Sequence, residues 1–144
     1  MIDWENTLKK IIDLYNGSPF GKHVGALVKF IELLIKLVGM NTDHCAKEKK
    51  DAQLLKELKA WAVDQHLGEE AMLGLSMKEI NKLYNTAEKE MIKAAGGQSK
   101  WNALSGNVKA DKQAKMVEGI LAKQGQEAFK DLEENEQQFL HLFI

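Results

Sequence analysis

The sequence predicts an all-α protein: an irregular bundle of five to seven helices with a central apolar helix at about residues 22–38. Three observations carry this. Apolar residues recur at three- and four-residue spacing through most of the chain, while Val, Ile and Thr form no alternating runs. Glycines and the one proline, Pro19, punctuate those runs where helices would stop. Ser76-Met77-Lys78-Glu79 is a capping box, with Leu75 and Ile80 at the two positions of a hydrophobic staple.

The first helix is expected from about Asp3 to Tyr15. Trp4, Leu8, Ile11, Ile12 and Tyr15 share one face, Asp3 caps the start, and Asn16-Gly17 supplies a left-handed end. Gly17-Ser18-Pro19-Phe20-Gly21 then forms a short turn. The second helix, Lys22 to Val38, is the most apolar. Its polar residues Lys22, Gly25, Lys29, Glu32 and Lys36 make one narrow stripe, the pattern of a helix enclosed by others. It is too short and too charged to span a membrane.

A third helix is expected from a Thr42 cap to about His66, with Lys47 to Asp51 in water, Leu54, Leu55, Leu58, Trp61 and Ala62 facing inward, and Gly68 as its stop. A short turn over Glu69 to Leu73 follows. The helix behind the capping box carries Ile80, Leu83, Tyr84, Ala87, Met91, Ala94 and Ala95 and ends at Gly96-Gly97. Trp101 lies in a short element between glycines. A helix over Val108 to Gln124 is expected to stop at Gly125, and a last helix to run from Gln126 towards the C-terminus with Phe129, Leu132, Phe139, Leu140 and Phe143 inward.

The chain has 144 residues, 44% of them apolar and 28% charged, which is enough to build a core without a disulfide or a structural metal. No repeat or long linker appears, so residues 1–144 read as a single helical domain, with Gly96-Gly97 as its weakest joint. The N-terminus lacks the basic start and apolar run of a secretory signal. Together with a single cysteine, Cys45, this places the protein in the cytoplasm, or outside it after export without a cleaved signal.

Composition also bears on function. Net charge is −1 and every basic residue is lysine. Arginine is the preferred bidentate donor to phosphate and guanine, so its absence argues against a nucleic-acid partner. His44 and Glu48 share a helix face near Asp51, but no CxxC, HxxxH or ExxH spacing completes a metal site. Cys45 and His44 are adjacent and point about 100° apart on a helix, so they do not form a nucleophile–base pair; His23 or His66 would have to approach in the fold. Glu69-Glu70 and Glu133-Glu134 read as solvated pairs rather than as a catalytic dyad. Gly96-Gly97 and Gly17 to Gly21 match no phosphate-binding motif. The expectation is therefore no catalytic residue, no cofactor and no metal ligand.

Two features point to a protein partner. Lys100, Lys109, Lys112, Lys115 and Lys123 make a basic stretch, and Glu127, Asp131, Glu133, Glu134 and Glu136 an acidic one behind it. An acidic face of Asp131, Glu133, Glu134 and Glu136, with Trp101 as an aromatic anchor, would dock on a basic partner. The functional expectation is a non-catalytic protein-binding module of the inhibitor, immunity-type, regulatory or secreted adaptor kind. Two alternatives stand beside it. One is a small helical enzyme or small-molecule binder whose site is assembled from several helices. The other is a membrane-surface or structural oligomeric protein, driven by the apolar helix or by Phe139 to Ile144.

Overall fold

The computed structural model describes residues 3–23, 27–37 and 46–141. The protein is all-α, a helical bundle with seven helices and no strand among the described residues. It divides into two compact units. The first comprises Met1–Val63 with Leu132–Ile144, and the second Asp64–Asp131. Gly96-Gly97 lies inside the second unit.

In the first unit, α1 (Trp4–Gly17) starts at Asp3, whose carboxylate accepts from the Asn6 N–H at 3.1 Å. Among its described side chains Ile12 is buried and Leu8 half-buried, while Ile11 and Tyr15, expected on the same face, are exposed; the Trp4 side chain lies outside the described residues. Gly17 stays helical. The helix ends at Ser18, whose N–H and Oγ both donate to the Tyr15 carbonyl, at 3.0 and 2.6 Å.

The helix expected over 22–38 is much shorter. α2 is Phe30–Lys36, and residues 27–29 are not helical. The cause is Asn16. Its side-chain amide donates to the Val28 carbonyl at 2.8 Å and accepts from the Val28 N–H at 2.9 Å. Both backbone groups that a helix would need at Val28 are already taken, and an extended segment is tied to the end of α1. Val24, Gly25, Ala26 and Val38, also expected in that helix, lie outside the described residues. Leu34 of α2 is 0% exposed. The Leu37 carbonyl beyond it accepts from Lys59 Nζ at 2.6 Å, so a cation sits at the negative end of α2.

α3 (Ala46–Leu73) belongs to both units. Its first-unit portion buries Asp51, Leu55, Lys59, Ala62 and Val63, one face at helical spacing. Asp51, expected in water, is 3% exposed, whereas Leu54, expected inward, is 43% exposed. The Thr42 cap lies outside the described residues. α7 (Glu134–His141) completes the unit. Leu142, Phe143 and Ile144 are not described.

The second unit holds the remainder of α3, then α4 (Met77–Ala94), α5 (Gln98–Ala103) and α6 (Gly106–Lys130). The capping box of α4 forms as read: the Glu79 N–H donates to Ser76 Oγ at 3.3 Å, and the Ser76 N–H to Glu79 Oε2 at 2.9 Å. Gly96 and Gly97 have φ of 93° and 99°. Their N–H groups donate to the carbonyls of Lys93 and Ile92, both at 3.0 Å, the paired bonds of a Schellman ending that L-residues reach only with strain.

The expected stops at Gly68 and Gly125 are not stops. α3 runs through Gly68, and α6 runs through Gly125 to Lys130, one helix across the point where the spacing predicts a break between two. Both glycines are buried where α3 crosses α6. A Cβ on Gly68 would lie 2.7 Å from the Leu121 carbonyl carbon, and one on Gly125 2.7 Å from that of Asp64. Each glycine removes a side chain from the crossing so that two backbones touch. Gln65, 4% exposed, donates to the Glu118 carbonyl at 3.0 Å beside this contact, and Gln126 to Asp64 Oδ2 at 2.9 Å.

Candidate functional site

α4 is strongly amphipathic. Ile80, Leu83, Tyr84, Ala87 and Met91 recur along one face, and the helix start and stop are both well made. An amphipathic helix of this kind ordinarily buries its apolar stripe. α4 has no buried residue. It packs beside α6, yet part of its apolar face opens into a groove of about 850 Å³ between the two helices. Leu83, Ala87 and Met91 of α4 and Met116 and Ile120 of α6 form the apolar floor. Gly119 keeps the α6 side low, for nothing lies within 4 Å of where its Cβ would stand.

The two walls differ in charge. From α6 come Lys112, Lys115 and Lys123; from α4 come Lys82 with Glu79 and Glu90. The α6 lysines are at i, i+3 and i+11, which puts them on one side of that helix. Lys115 pairs with Asp111 at 3.0 Å, an exposed contact of little strength. Lys112 and Lys123 have no acidic partner among the described residues. Glu79 is held in the capping box, and its hydrogen bonds from Ser76 keep its carboxyl below the usual carboxylate range. Chemically the groove suits an elongated ligand with an apolar ridge and negative charge along one flank.

The residues singled out from the sequence are distributed differently. Trp101 is 8% exposed and fills the core of the second unit, so its ring offers little surface to a partner. Asp131 is exposed and caps the C-terminus of α6. Glu133, Glu134 and Glu136 are exposed at the start of α7. Glu136 Oε2 accepts from the Glu133 N–H at 3.2 Å, and Glu134 Oε1 from Gln138 at 3.4 Å. Glu136 is therefore engaged in starting the helix and Glu134 is bonded to Gln138 one turn along it, while both Glu133 and Glu134 are exposed.

His66 Nε2 lies 3.5 Å from Glu70 Oε1 one turn along α3, the histidine half-buried and the glutamate exposed. His44, Cys45 and the side chain of Glu48 lie outside the described residues, and so does the Cys45 pairing weighed above. Among the described residues no group of three or more His, Cys, Asp or Glu side chains could hold a metal ion. No described helix is long and apolar enough to cross a membrane. Sequence reading noted the basic stretch but missed that Lys112, Lys115 and Lys123 flank an apolar floor. The signal was present in their helical spacing, and only the placement of α4 gives it meaning.

No protein-family model matches the chain, no curated protein matches it, and no solved structure matches it.

Proposed function

We propose that the chain is a non-catalytic protein-binding module that receives an amphipathic helix of its partner in the groove between α4 and α6. One observation carries the reading: the most amphipathic well-capped helix of the second unit leaves its apolar face half covered. An exposed Leu or Met side chain gains about 1.5–3 kcal/mol on full burial, and half-buried Leu83 and Met91 keep a part of that gain unused, which a partner that covers them recovers. Recognition of a helix laid in an apolar groove is a common mode of protein binding, and charged walls set its register. Inhibitor, immunity-type, regulatory and adaptor roles all fit it, in the cytoplasm or after export without a cleaved signal, with no nucleic-acid partner.

The test is capture from native extract with tagged wild-type protein, an Ala87→Arg/Met91→Glu groove variant, and an Asp131→Lys/Glu133→Lys variant. A stoichiometric partner held by the wild type and the second variant but lost by the first supports the reading. A partner lost only with Asp131 and Glu133 moves the docking face to the acidic segment. A partner indifferent to both sets overturns either placement.

A second reading has its own support. The groove volume lies within the range of small-molecule sites, about 300–1,000 Å³, and methionines suit apolar ligands. Native mass spectrometry of freshly purified protein decides it: a retained small mass, absent from the groove variant, favours a small-molecule binder.

A further inference from the structure

We propose that the helix received in the groove is α7 of a second copy of the chain. This rests on the reading of the groove as a protein-docking site and names its occupant. α7 has what the groove requires. Exposed Glu133 precedes it and exposed Glu134 opens it, and one turn or more later it presents Phe139, a large aromatic that is 60% exposed. The groove pairs an apolar floor with an α6 wall whose charged residues are all lysine. Acidic start meets Lys112, Lys115 or Lys123, and the phenyl ring meets Met91, Met116 and Ile120.

The lengths agree as well. Eight helical residues span about 12 Å, and the twelve residues from Lys112 to Lys123 span about 18 Å of α6, so α7 fits between the ends of the lysine wall. Each copy carries both halves of the contact. Two unlike surfaces that meet across copies give a heterologous contact, which closes into a ring or reciprocal pair or extends head to tail. Charge complementarity selects this occupant over a neutral amphipathic helix, since a neutral one would leave Lys112 and Lys123 facing apolar surface without a counter-charge.

The experiment is sedimentation equilibrium of the full chain and of two charge-reversed variants, alone and mixed. One variant is Glu133→Lys/Glu134→Lys and the other Lys112→Glu/Lys123→Glu. The wild type is expected to associate reversibly above the monomer mass, and about tenfold more weakly at high salt than at low. Each variant alone is expected to be monomeric, because like charges then face each other across the contact. Their equimolar mixture is expected to associate again, because the reversed α7 meets the reversed wall. Recovery on mixing also shows that both variants are folded. A wild type that is monomeric throughout overturns the proposal, and leaves the groove itself to the capture experiment above. Association that neither variant weakens, or that mixing does not restore, places the contact elsewhere and overturns it too.

Discussion

Replacing Gly125 by alanine puts a methyl group against the backbone of α3. The new Cβ would stand 2.7 Å from the Asp64 carbonyl carbon, against 3.4–4 Å for ordinary contact. The obstacle is main chain on α3, which cannot rotate aside, so the two helices must part by about 1 Å in a region packed like a solid. Overpacking of this kind costs about 1–3 kcal/mol. The buried bond from Gln65 to the Glu118 carbonyl lies beside the crossing at 3.0 Å and stretches with it. An unsatisfied buried amide adds about 1–3 kcal/mol. Against this, alanine is better than glycine inside a helix by about 1 kcal/mol. The net expectation is a loss of about 1–5 kcal/mol, a large share of the 5–15 kcal/mol typical of a folded domain. Gly119→Ala in the same helix is the internal control. Nothing lies within 4 Å of its Cβ, so the helix preference acts alone and stabilises by about 0.5–1 kcal/mol. Urea unfolding followed by circular dichroism, with amide hydrogen exchange over residues 64–131, measures both. If Gly125→Ala is as stable as the wild type, or if the two substitutions shift stability the same way, the close crossing of α3 and α6 is wrong.

Three further predictions follow from particular residues. Ser76→Ala removes the acceptor of the capping box and is expected to cost about 1 kcal/mol at neutral pH by urea unfolding. Because the Glu79 carboxyl titrates below its unfolded value, its contribution is present above the unfolded value of 4.5 and is lost as pH falls through the folded one. The gap between Ser76→Ala and wild type should therefore narrow in acid, and a gap that stays constant would contradict the box. Burial pulls the Lys59 ammonium below its usual 10.5, so the unfolded chain holds that proton to higher pH than the folded one does. Wild-type stability should accordingly rise with pH between the folded value and 10.5 relative to Lys59→Met, which lacks the group; parallel pH profiles would refute its burial. Trp101→Ala empties an aromatic site in the second-unit core and is expected to cost about 3–5 kcal/mol in thermal or urea unfolding, whereas a loss under 1 kcal/mol would mean that the ring is not a core element.

How much was readable in advance depended on how far each signal reaches along the chain. The Ser76/Glu79 box and the Gly96-Gly97 ending were legible because their donors and acceptors lie within five residues of one another. The start of α1 at Asp3 was legible for the same reason. The interruption before α2 was not, because it is made by Asn16 acting on Val28 twelve residues away, and the apolar run from Val24 to Val38 has helical spacing in its own right. The candidate site was half legible. The lysines of α6 and the apolar face of α4 are both written in the sequence, but neither predicts that the two flank one groove.

The helical class, the start of α1, both ends of α4 and the separation of basic and acidic stretches are written in the sequence, since each is set by residue spacing and by hydrogen bonds inside a single turn; the end of α1 is not, for Gly17 stays helical and Ser18 closes the helix. Only the tertiary structure decided what Gly68 and Gly125 do. A glycine in a helical pattern is a stop when its backbone is free to turn and a contact point when another backbone lies against it. That neighbour is more than fifty residues away in sequence, on Leu121 for Gly68 and on Asp64 for Gly125. The same holds for the groove, whose floor and walls acquire their meaning from the way α4 lies on α6 and from the part of its apolar face that this packing leaves uncovered.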